Sequence, residues 1–470
     1  MPVRAKRKGK ARMHSLKSDI IVRLLKISNL FLMSIPYIAV WVMCYALNTW
    51  VPFHYWGNLL VAFLFFPVYF YFGKTYDAFL ISYNRISETA ISGALSLLLT
   101  DSVMYMVLLL LVRRLPNPLP LLGAYIVQLA ITVIWVWFAN IIYFHLYPAK
   151  KTAVVYDTRR GMTDIIHEYR KERKFNVVKS LSAEECLKDL DVLDDVEVVF
   201  LSGVHSHQRN TILKYCIYNE KQVYLIPRIG DVIMSSAQPV HLFHLPMMKV
   251  GRYRPSPEYV LVKRCFDIFA SALGLIVLSP VFLATAIAIK ATDKGPVFYK
   301  QERLTKDGKR FMIHKFRSMR VDAEKDGVAR LSTGENDDRI TPVGKFIRKC
   351  RIDELPQLLD ILVGNLSVVG PRPERPQIAE EYMKEMPEFQ LRLQCKAGLT
   401  GYAQVYGKYN TTPYDKLQMD LMYIAHPSFA EDIRICFATV RILFTPESTE
   451  GIAQGQTTAM GNDGSEDECT

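Results

Sequence analysis

The hydrophobic pattern divides the chain early. Apolar and aromatic residues dominate the first third, and mixed globular sequence follows. Four long apolar segments stand out, at 27–47, 56–72, 91–112 and 119–144. Each approaches the roughly 20 residues that carry an α-helix across a bilayer. From Thr152 the pattern shortens. Apolar runs at 153–156, 196–201 and 222–226 read as buried strands, with helices over 162–171 and 211–218. That alternation predicts a small Rossmann-like, doubly wound parallel sheet over 149–250. A further apolar stretch covers 258–292, and Ser279-Pro280 interrupts it centrally. Proline there removes a donor and breaks the helical ladder.

Residues 293–452 carry no long apolar segment and read as a compact α+β unit. Strand-like runs at 295–303 and 311–317 flank Asp307-Gly308, which predicts a hairpin. It presents Lys300, Arg303, Lys315 and Arg317. A basic helix over 344–351 leads into Asp353-Glu354-Leu-Pro356. Asp353 reads as the N-cap of the next helix, with Pro356 in its first turn and an end near Gly364. Residues 330–338 read as a polar loop, and 453–470 as a disordered acidic tail.

Charge orients this picture. The formal net charge is +12, and a basic tail occupies 1–26. Positive residues stay on the cytoplasmic side of a membrane. The loop at 48–55 has no charged side chain and fits the outside; Lys74 and Arg85 fit the inside. Arg113 and Arg114 oppose the scheme, and Lys150, Lys151, Arg159 and Arg160 outweigh them. The N-terminus and everything after 148 are therefore expected in the cytoplasm. The segment at 258–292 is basic at both ends, with Lys263 and Arg264 before it and Lys290 and Lys294 after. A segment that enters and leaves one leaflet should look so, which favours a re-entrant membrane helix over a kinked span. The four spans hold few polar residues (Asn48, Asp101 and Gln128), with Asp101 expected at a helix end. An anchoring bundle is the expectation, not a channel. No finger, zipper or aromatic RNA-binding motif accompanies the positive charge, so nucleic acid is excluded as a partner. Eight scattered cysteines form no Cys-x-x-Cys pair and read as reduced, mostly buried thiols.

The candidate chemistry is concentrated late in the chain. Asp353 and Glu354 are adjacent, and Arg372 follows, fixed between Pro371 and Pro373. An Asp before an apolar helical run is commonly only a cap. Two neighbouring carboxylates can also hold a divalent cation against phosphate, or one can act as a nucleophile. Phosphate repels such a nucleophile, so cations must neutralise it. Lys315, Arg348 and Arg372 are the candidates. The turn after the first predicted strand, Tyr156-Asp-Thr-Arg-Arg-Gly161, lacks the Gly-x-Gly-x-x-Gly fingerprint. A nucleotide site in the sheet domain is therefore not expected.

The motifs together resemble a known family. Lys263-Arg-x-x-Asp-Ile with Ser279-Pro280, Gly295-Pro-Val-Phe-Tyr-Lys-Gln301 and His314-Lys-Phe-Arg-Ser-Met319 are three of them. Asp353-Glu-Leu-Pro-Gln-Leu358, Val369-Gly-Pro-Arg-Pro-Glu374 and Lys396-Ala-Gly-Leu-Thr-Gly-Tyr-Ala-Gln404 are the others. In this order they resemble the catalytic domain of bacterial monotopic phosphoglycosyl transferases, the bacterial sugar transferases. The four spans and sheet domain resemble the long form, which initiates exopolysaccharide, capsule or O-antigen synthesis. The resemblance implies transfer of a sugar 1-phosphate from a UDP-sugar to undecaprenyl phosphate, with loss of UMP. It implies Asp353 as nucleophile, a covalent phosphosugar intermediate, and Glu354 as a ligand of Mg2+. Lys315, Arg317, Arg348, Pro371, Arg372, Pro373 and Lys408 are the implied substrate-binding residues, with the Pro-Arg-Pro turn facing uridine. It also implies the bacterial inner membrane, with the sheet and catalytic domains on its cytoplasmic side. Some positions depart from the family pattern. Asn365 stands where Asp is frequent, Asp360 where Asn is, Lys408 where Arg is, and Tyr402 where Trp is.

Other readings remain open. An inactive membrane scaffold for a polysaccharide assembly would keep the architecture without the chemistry. A membrane-anchored nucleotide-sugar dehydratase or epimerase would need the missing glycine fingerprint. A polytopic transferase without a covalent intermediate would not need the large non-membrane unit. The resemblance alone favours glucose or galactose; the sugar itself, and a possible homodimer through the bundle or the sheet domain, are not legible from sequence.

Overall fold

The computed structural model describes residues 2–443, apart from 51–52, 82–85, 158–161, 169–171, 321–338 and 408–410. The chain forms two compact units, divided between Ile226 and Pro227.

The first unit begins with four helices: α1 (Pro2–Val40), α2 (Tyr55–Thr75), α3 (Ile86–Val112) and α4 (Leu119–Leu146). A π-helical turn, Trp41–Tyr45, continues α1, so its apolar span is Ser18–Asn48. All four are long and apolar enough to cross a membrane, which marks the chain as a membrane protein. Their shared core is aromatic. Trp41, Phe65 and Tyr69 are buried there, and Phe65 stacks on Tyr37 at 5.0 Å. Polar groups are paired across it, as where Tyr69 donates to Asn29 at 2.8 Å and Gln128 to the Met33 carbonyl at 2.9 Å. Asp101 corrects an expectation: it lies inside α3, not at an end, and is buried. The pattern of one helix does not reveal which of its polar positions the other helices will cover.

After α4 the chain alternates: β1 (Lys150–Tyr156), α5 (Met162–Glu168), β2 (Phe175–Ser182), α6 (Ala183–Lys188), β3 (Val198–Ser202), α7 (Ser206–Tyr218) and β4 (Gln222–Leu225). The strands form one parallel sheet in the order β2-β1-β3-β4. Central β3 is buried throughout, as a strand covered on both faces should be. Strand β2 escaped the sequence pattern. It is an edge strand whose residues alternate in exposure, so its run of Asn176, Lys179 and Ser180 reads as polar. Residues 158–161, which hold most of the turn after β1, lie outside the described residues, as does the expected helix end at 169–171.

The second unit opens with α8 (Ile229–Ser235) and an antiparallel pair, β5 (Gln238–Leu242) and β6 (Leu245–Lys249). The sequence places the end of the sheet domain at 250. Residues 227–249 group instead with the second unit, where Ile229 and Val232 pack into the core around Leu417 and Leu421. Next come α9 (Pro257–Val277) and α10 (Ser279–Asp293), bent by 61° at the Ser279-Pro280 break. Ser256 caps α9, its hydroxyl accepting from the Tyr259 N–H. Helix α9 is inside out by the standards of a water-soluble protein. Asp267 and Ser271 are buried, while Phe269, Leu273, Ile276 and Val277 are exposed.

The hairpin follows as expected: β7 (Phe298–Leu304) and β8 (Arg310–Phe316) pair antiparallel. Asp307 and Gly308 both take positive φ in its turn. The chain then forms α11 (Pro342–Lys349), α12 (Gln357–Val363), β9 (Ser367–Val369), α13 (Pro376–Glu385), β10 (Gly398–Thr400), α14 (Tyr402–Tyr406), α15 (Pro413–Ala425) and α16 (Phe429–Leu443). The 330–338 and 453–470 stretches lie outside the described residues. The described cysteines are free, as expected, but Cys44, Cys265 and Cys350 are exposed. Cys44 lies on the first of the four apolar helices and Cys265 on α9.

Candidate active site

Three segments of the second unit bring the candidate chemistry together: the end of β8, the turn before α12, and the loop after β9. The turn depends on Arg351. Its φ of 54° is left-handed, uncommon for a residue with a Cβ. Helix α11 is capped by Thr341, which accepts from the Gly344 N–H at 2.9 Å, and ends where Arg351 reverses the chain. A single 3-10 turn, Ile352–Glu354, then presents the carboxylates. Helix α12 begins only after Pro356, which occupies the N-cap position, and ends at Gly364, φ 100°. Asp353 is therefore not the N-cap that the sequence suggests. The left-handed Arg351 places it a turn ahead of the helix, and its carboxylate is not spent on capping. Among the described residues, no hydrogen bond holds it.

Glu354 is held firmly. Arg372 Nη2 donates to its Oε1 at 2.8 Å, and Lys315 Nζ to the same oxygen at 3.1 Å. Arg351 Nη1 lies 4.0 Å from Oε2. Burial alone would push this carboxyl up. Arg372, Lys315 and Arg351 outweigh it and hold Glu354 well below the ordinary carboxylate range. Asp353 goes the other way. Burial and the neighbouring Glu354 charge push it up to about 6, against the pull of Lys315, Arg348 and Arg372. Burial also lowers the Lys315 ammonium, with Glu354 opposing. Two adjacent acids thus have their proton affinities driven apart, which is how acid and base roles are separated in active sites.

The Pro-Arg-Pro turn is fixed by backbone. Strand β9 pairs with β10, and the bonding continues past it: Gly370 N–H donates to Thr400 O at 2.8 Å, Gly398 N–H to Pro371 O at 2.9 Å. The approach is so close that a Cβ on Gly398 would lie 2.1 Å from the Gly370 nitrogen. Arginines grip the turn from behind. Arg303 Nη1 donates to Pro373 O at 3.0 Å and Arg392 Nη2 to Arg372 O at 2.9 Å. Glu374 lies 3.9 Å from Arg303 and 3.7 Å from Arg392, which also pairs with buried Asp420 at 2.7 Å. Burial lowers Arg303 to about 10 and raises Asp420 to about 6.

The structure thus gathers Asp353, Glu354, Lys315, Arg348, Arg372, Pro371 and Pro373. It does not bring Arg317 to them. That side chain is buried against Gly295, beyond the end of β8. Lys408 lies outside the described residues. Ser279 and Pro280 mark the break between α9 and α10. Residues that sequence reasoning left out are Arg351, Glu374, Arg392 and Asp420. Glu374 stood inside a matched motif, but Arg392 and Asp420 carried no local signal. Asp360, the departure from the family pattern, is explained by its contacts. It is buried, and its two oxygens accept from the His314 backbone N–H and meet His314 Nδ1, both at 2.8 Å. It ties α12 to β8, and so the carboxylate pair to Lys315.

Among the described residues, no three His, Cys, Asp or Glu side chains gather into a metal cage. Asp353 and Glu354 are adjacent hard oxygen donors. They fit Mg2+ where it is held by one or two carboxylates and completed by substrate phosphates.

Comparison with known proteins finds a family match within this unit. Residues 258–446 match the family described as bacterial sugar transferase. The chain is 37% identical over 236 residues to the UDP-N-acetylgalactosamine-undecaprenyl-phosphate N-acetylgalactosaminephosphotransferase of Aeromonas hydrophila, covering 50% of this chain and 55% of that protein. It is 39% identical over 212 residues to the UDP-glucose:undecaprenyl-phosphate glucose-1-phosphate transferase of Escherichia coli (strain K12), covering 44% of each. Both matches span only about half of the relative. The exopolysaccharide production protein PSS of Rhizobium leguminosarum bv. phaseoli is matched almost entirely: 40% identity over 190 residues, 38% of this chain and 94% of that one.

Proposed function

This chain belongs to the bacterial sugar transferase family, and from that premise we propose that it transfers a sugar 1-phosphate from a UDP-sugar to undecaprenyl phosphate. Asp353 attacks the sugar-bearing phosphorus, and the bond from that phosphorus to the bridging oxygen breaks. UMP departs with that oxygen. An oxygen of the polyprenyl phosphate then attacks the same phosphorus and releases Asp353, leaving a polyprenyl diphosphate sugar. One observation carries this reading: Glu354 is consumed by Arg372 and Lys315, while Asp353 beside it has no hydrogen-bond partner among the described residues and has raised basicity. A carboxylate kept out of the local ion pairs is what a nucleophile requires.

Lys315, Arg348 and Arg372 would face the phosphates, where fixed cations stabilise developing charge. Arg372 suits the role, since its guanidinium is preorganised by the flanking prolines. Glu354 Oε2, to which neither Arg372 nor Lys315 donates, would hold Mg2+ together with the diphosphate. The ion, when bound, neutralises phosphate charge. Helices α9 and α10 form the re-entrant element. Their exposed apolar faces and 61° bend support this, with basic residues at both ends. They would seat the site at the headgroup plane of the inner membrane, on its cytoplasmic side, where the carrier's phosphate lies. The relatives named above use different sugars, so the donor is left to experiment.

The test is release of UMP from a panel of UDP-sugars by the full chain in lipid, with Mg2+ and undecaprenyl phosphate. One sugar should release UMP, and Asp353→Asn should abolish it. No release with any sugar from folded protein would favour the scaffold reading.

A further inference from the structure

Two polar residues of α9, half-buried Arg264 and buried Asp267, contact both halves of the site. Arg264 forks onto the last turn of α12: Nη1 donates to Ile361 O at 2.7 Å and Nη2 to Leu362 O at 2.8 Å. These carbonyls have no partner within the helix, and a guanidinium satisfies two at once. Gly364 admits it, because a Cβ there would lie 3.2 Å from the Arg264 Nη2. One turn on, Asp267 Oδ1 accepts from Ser367 Oγ at 3.1 Å and from the Val368 N–H at 2.9 Å, both on β9. Helix α12 begins three residues after Glu354 and β9 ends one residue before Gly370-Pro-Arg-Pro. So one turn of one helix fixes the carboxylate segment through Arg264 and the Arg372 segment through Asp267.

We propose that Arg264 and Asp267 are positioning residues that set the spacing between the carboxylate pair and Arg372, with α9 as the common ruler. This rests on the transferase reading above. The two contacts are separable, and so are their consequences. Arg264 places the attacking group, so its loss should fall on the chemical step. Asp267 places the phosphate-binding turn, so its loss should fall on substrate affinity. A merely structural role would not divide the two parameters this way.

The experiment compares the full chain in lipid with Arg264→Gln and Asp267→Ala, and with Arg264→Lys and Asp267→Asn as conservative partners. Displacing a reacting group by about 1 Å can cost up to roughly a hundredfold. Arg264→Gln should lower kcat for phosphosugar-enzyme formation by about tenfold, with KM for the UDP-sugar within about twofold. Asp267→Ala should raise KM by about tenfold, with kcat within about threefold. Each conservative variant should recover part of its loss. Hydrogen exchange supplies a readout free of turnover: it should rise over 352–363 only in the Arg264 variant, and over 367–373 only in the Asp267 variant. Equal changes in kcat and KM in both variants, or exchange rising throughout α15 and α16, would overturn the proposal. Should the parent chain transfer no sugar phosphate, the transferase reading falls and the exchange pattern alone decides the positioning roles.

Discussion

Replacing Glu354 by glutamine separates the two carboxylates most sharply. The side chains are nearly isosteric, so the 3-10 turn should persist. What changes is charge. Asp353 is raised from 3.8 to about 6, first by burial and second by the Glu354 carboxylate. Unit charges roughly 6 Å apart at an effective dielectric near 20 interact by about 3 kcal/mol, which sets an upper bound of about two pH units on the Glu354 share. Burial is the larger cause, so removing Glu354 should lower the acid limb of adduct formation by about one pH unit. The sign follows from the role. In the nucleophile role proposed for Asp353 the carboxylate must be ionised, so activity should be present above about 6 in the parent and lost as pH falls through it. In Glu354→Gln the loss should begin at lower pH. The maximal rate should nonetheless fall, because Arg372 and Lys315 lose their anchor and Asp353 becomes a weaker nucleophile. Loss of charge-assisted hydrogen bonds worth about 1.5–3 kcal/mol corresponds to about a ten- to hundredfold fall. Rapid-quench measurement of the phosphosugar adduct between pH 5 and 8 reads both effects. An acid limb that stays put or moves upward would refute the assignment of opposite charge roles to the pair.

Three further outcomes follow from the same geometry. Gly398→Ala should abolish activity and lower the thermal midpoint, because its Cβ meets backbone atoms of Gly370 and Thr400, which cannot swing away. Asp360→Asn should destabilise the second unit by about 1–2 kcal/mol in denaturant titration, since a buried acceptor pair on His314 is replaced by a weaker one; unchanged stability would mean that the contact is dispensable. Arg351→Gly should leave stability within about 1 kcal/mol of the parent, because relief of the left-handed backbone offsets a long ion pair to Glu354. A loss well beyond that would show Arg351 to matter through its side chain.

Local pattern revealed much of this protein, and long-range contacts account for what it concealed. The four spans are legible because apolar length alone specifies them. The hairpin is legible from Asp307-Gly308, whose positive φ values suit those residue types. Asp353, Glu354 and Arg372 were found through motif and charge. The cap assigned to Asp353 failed because the reversal is made by Arg351, an arginine in a conformation that sequence rules reserve for glycine or asparagine. Arg317 was grouped with Lys315 through the predicted strand at 311–317 and the family resemblance, but β8 stops at Phe316 and the Arg317 side chain lies against Gly295. Arg392 and Asp420 lie in separate elements, and their pairing behind the Pro-Arg-Pro turn exists only once α15 has packed. Asp360 departs from the family pattern, and only the fold brings His314 against it.

The inverted dressing of α9 has a practical corollary. Phe269, Leu273, Ile276 and Val277 face outward on it, as do Leu283 and Ile287 on α10. Deleting the first four helices would therefore not yield a freely dissolving fragment. A truncation beginning at Pro227, where the second unit starts, should still sediment with vesicles and still require detergent for extraction, at high salt as well as low, because the attachment is by apolar area and not by charge.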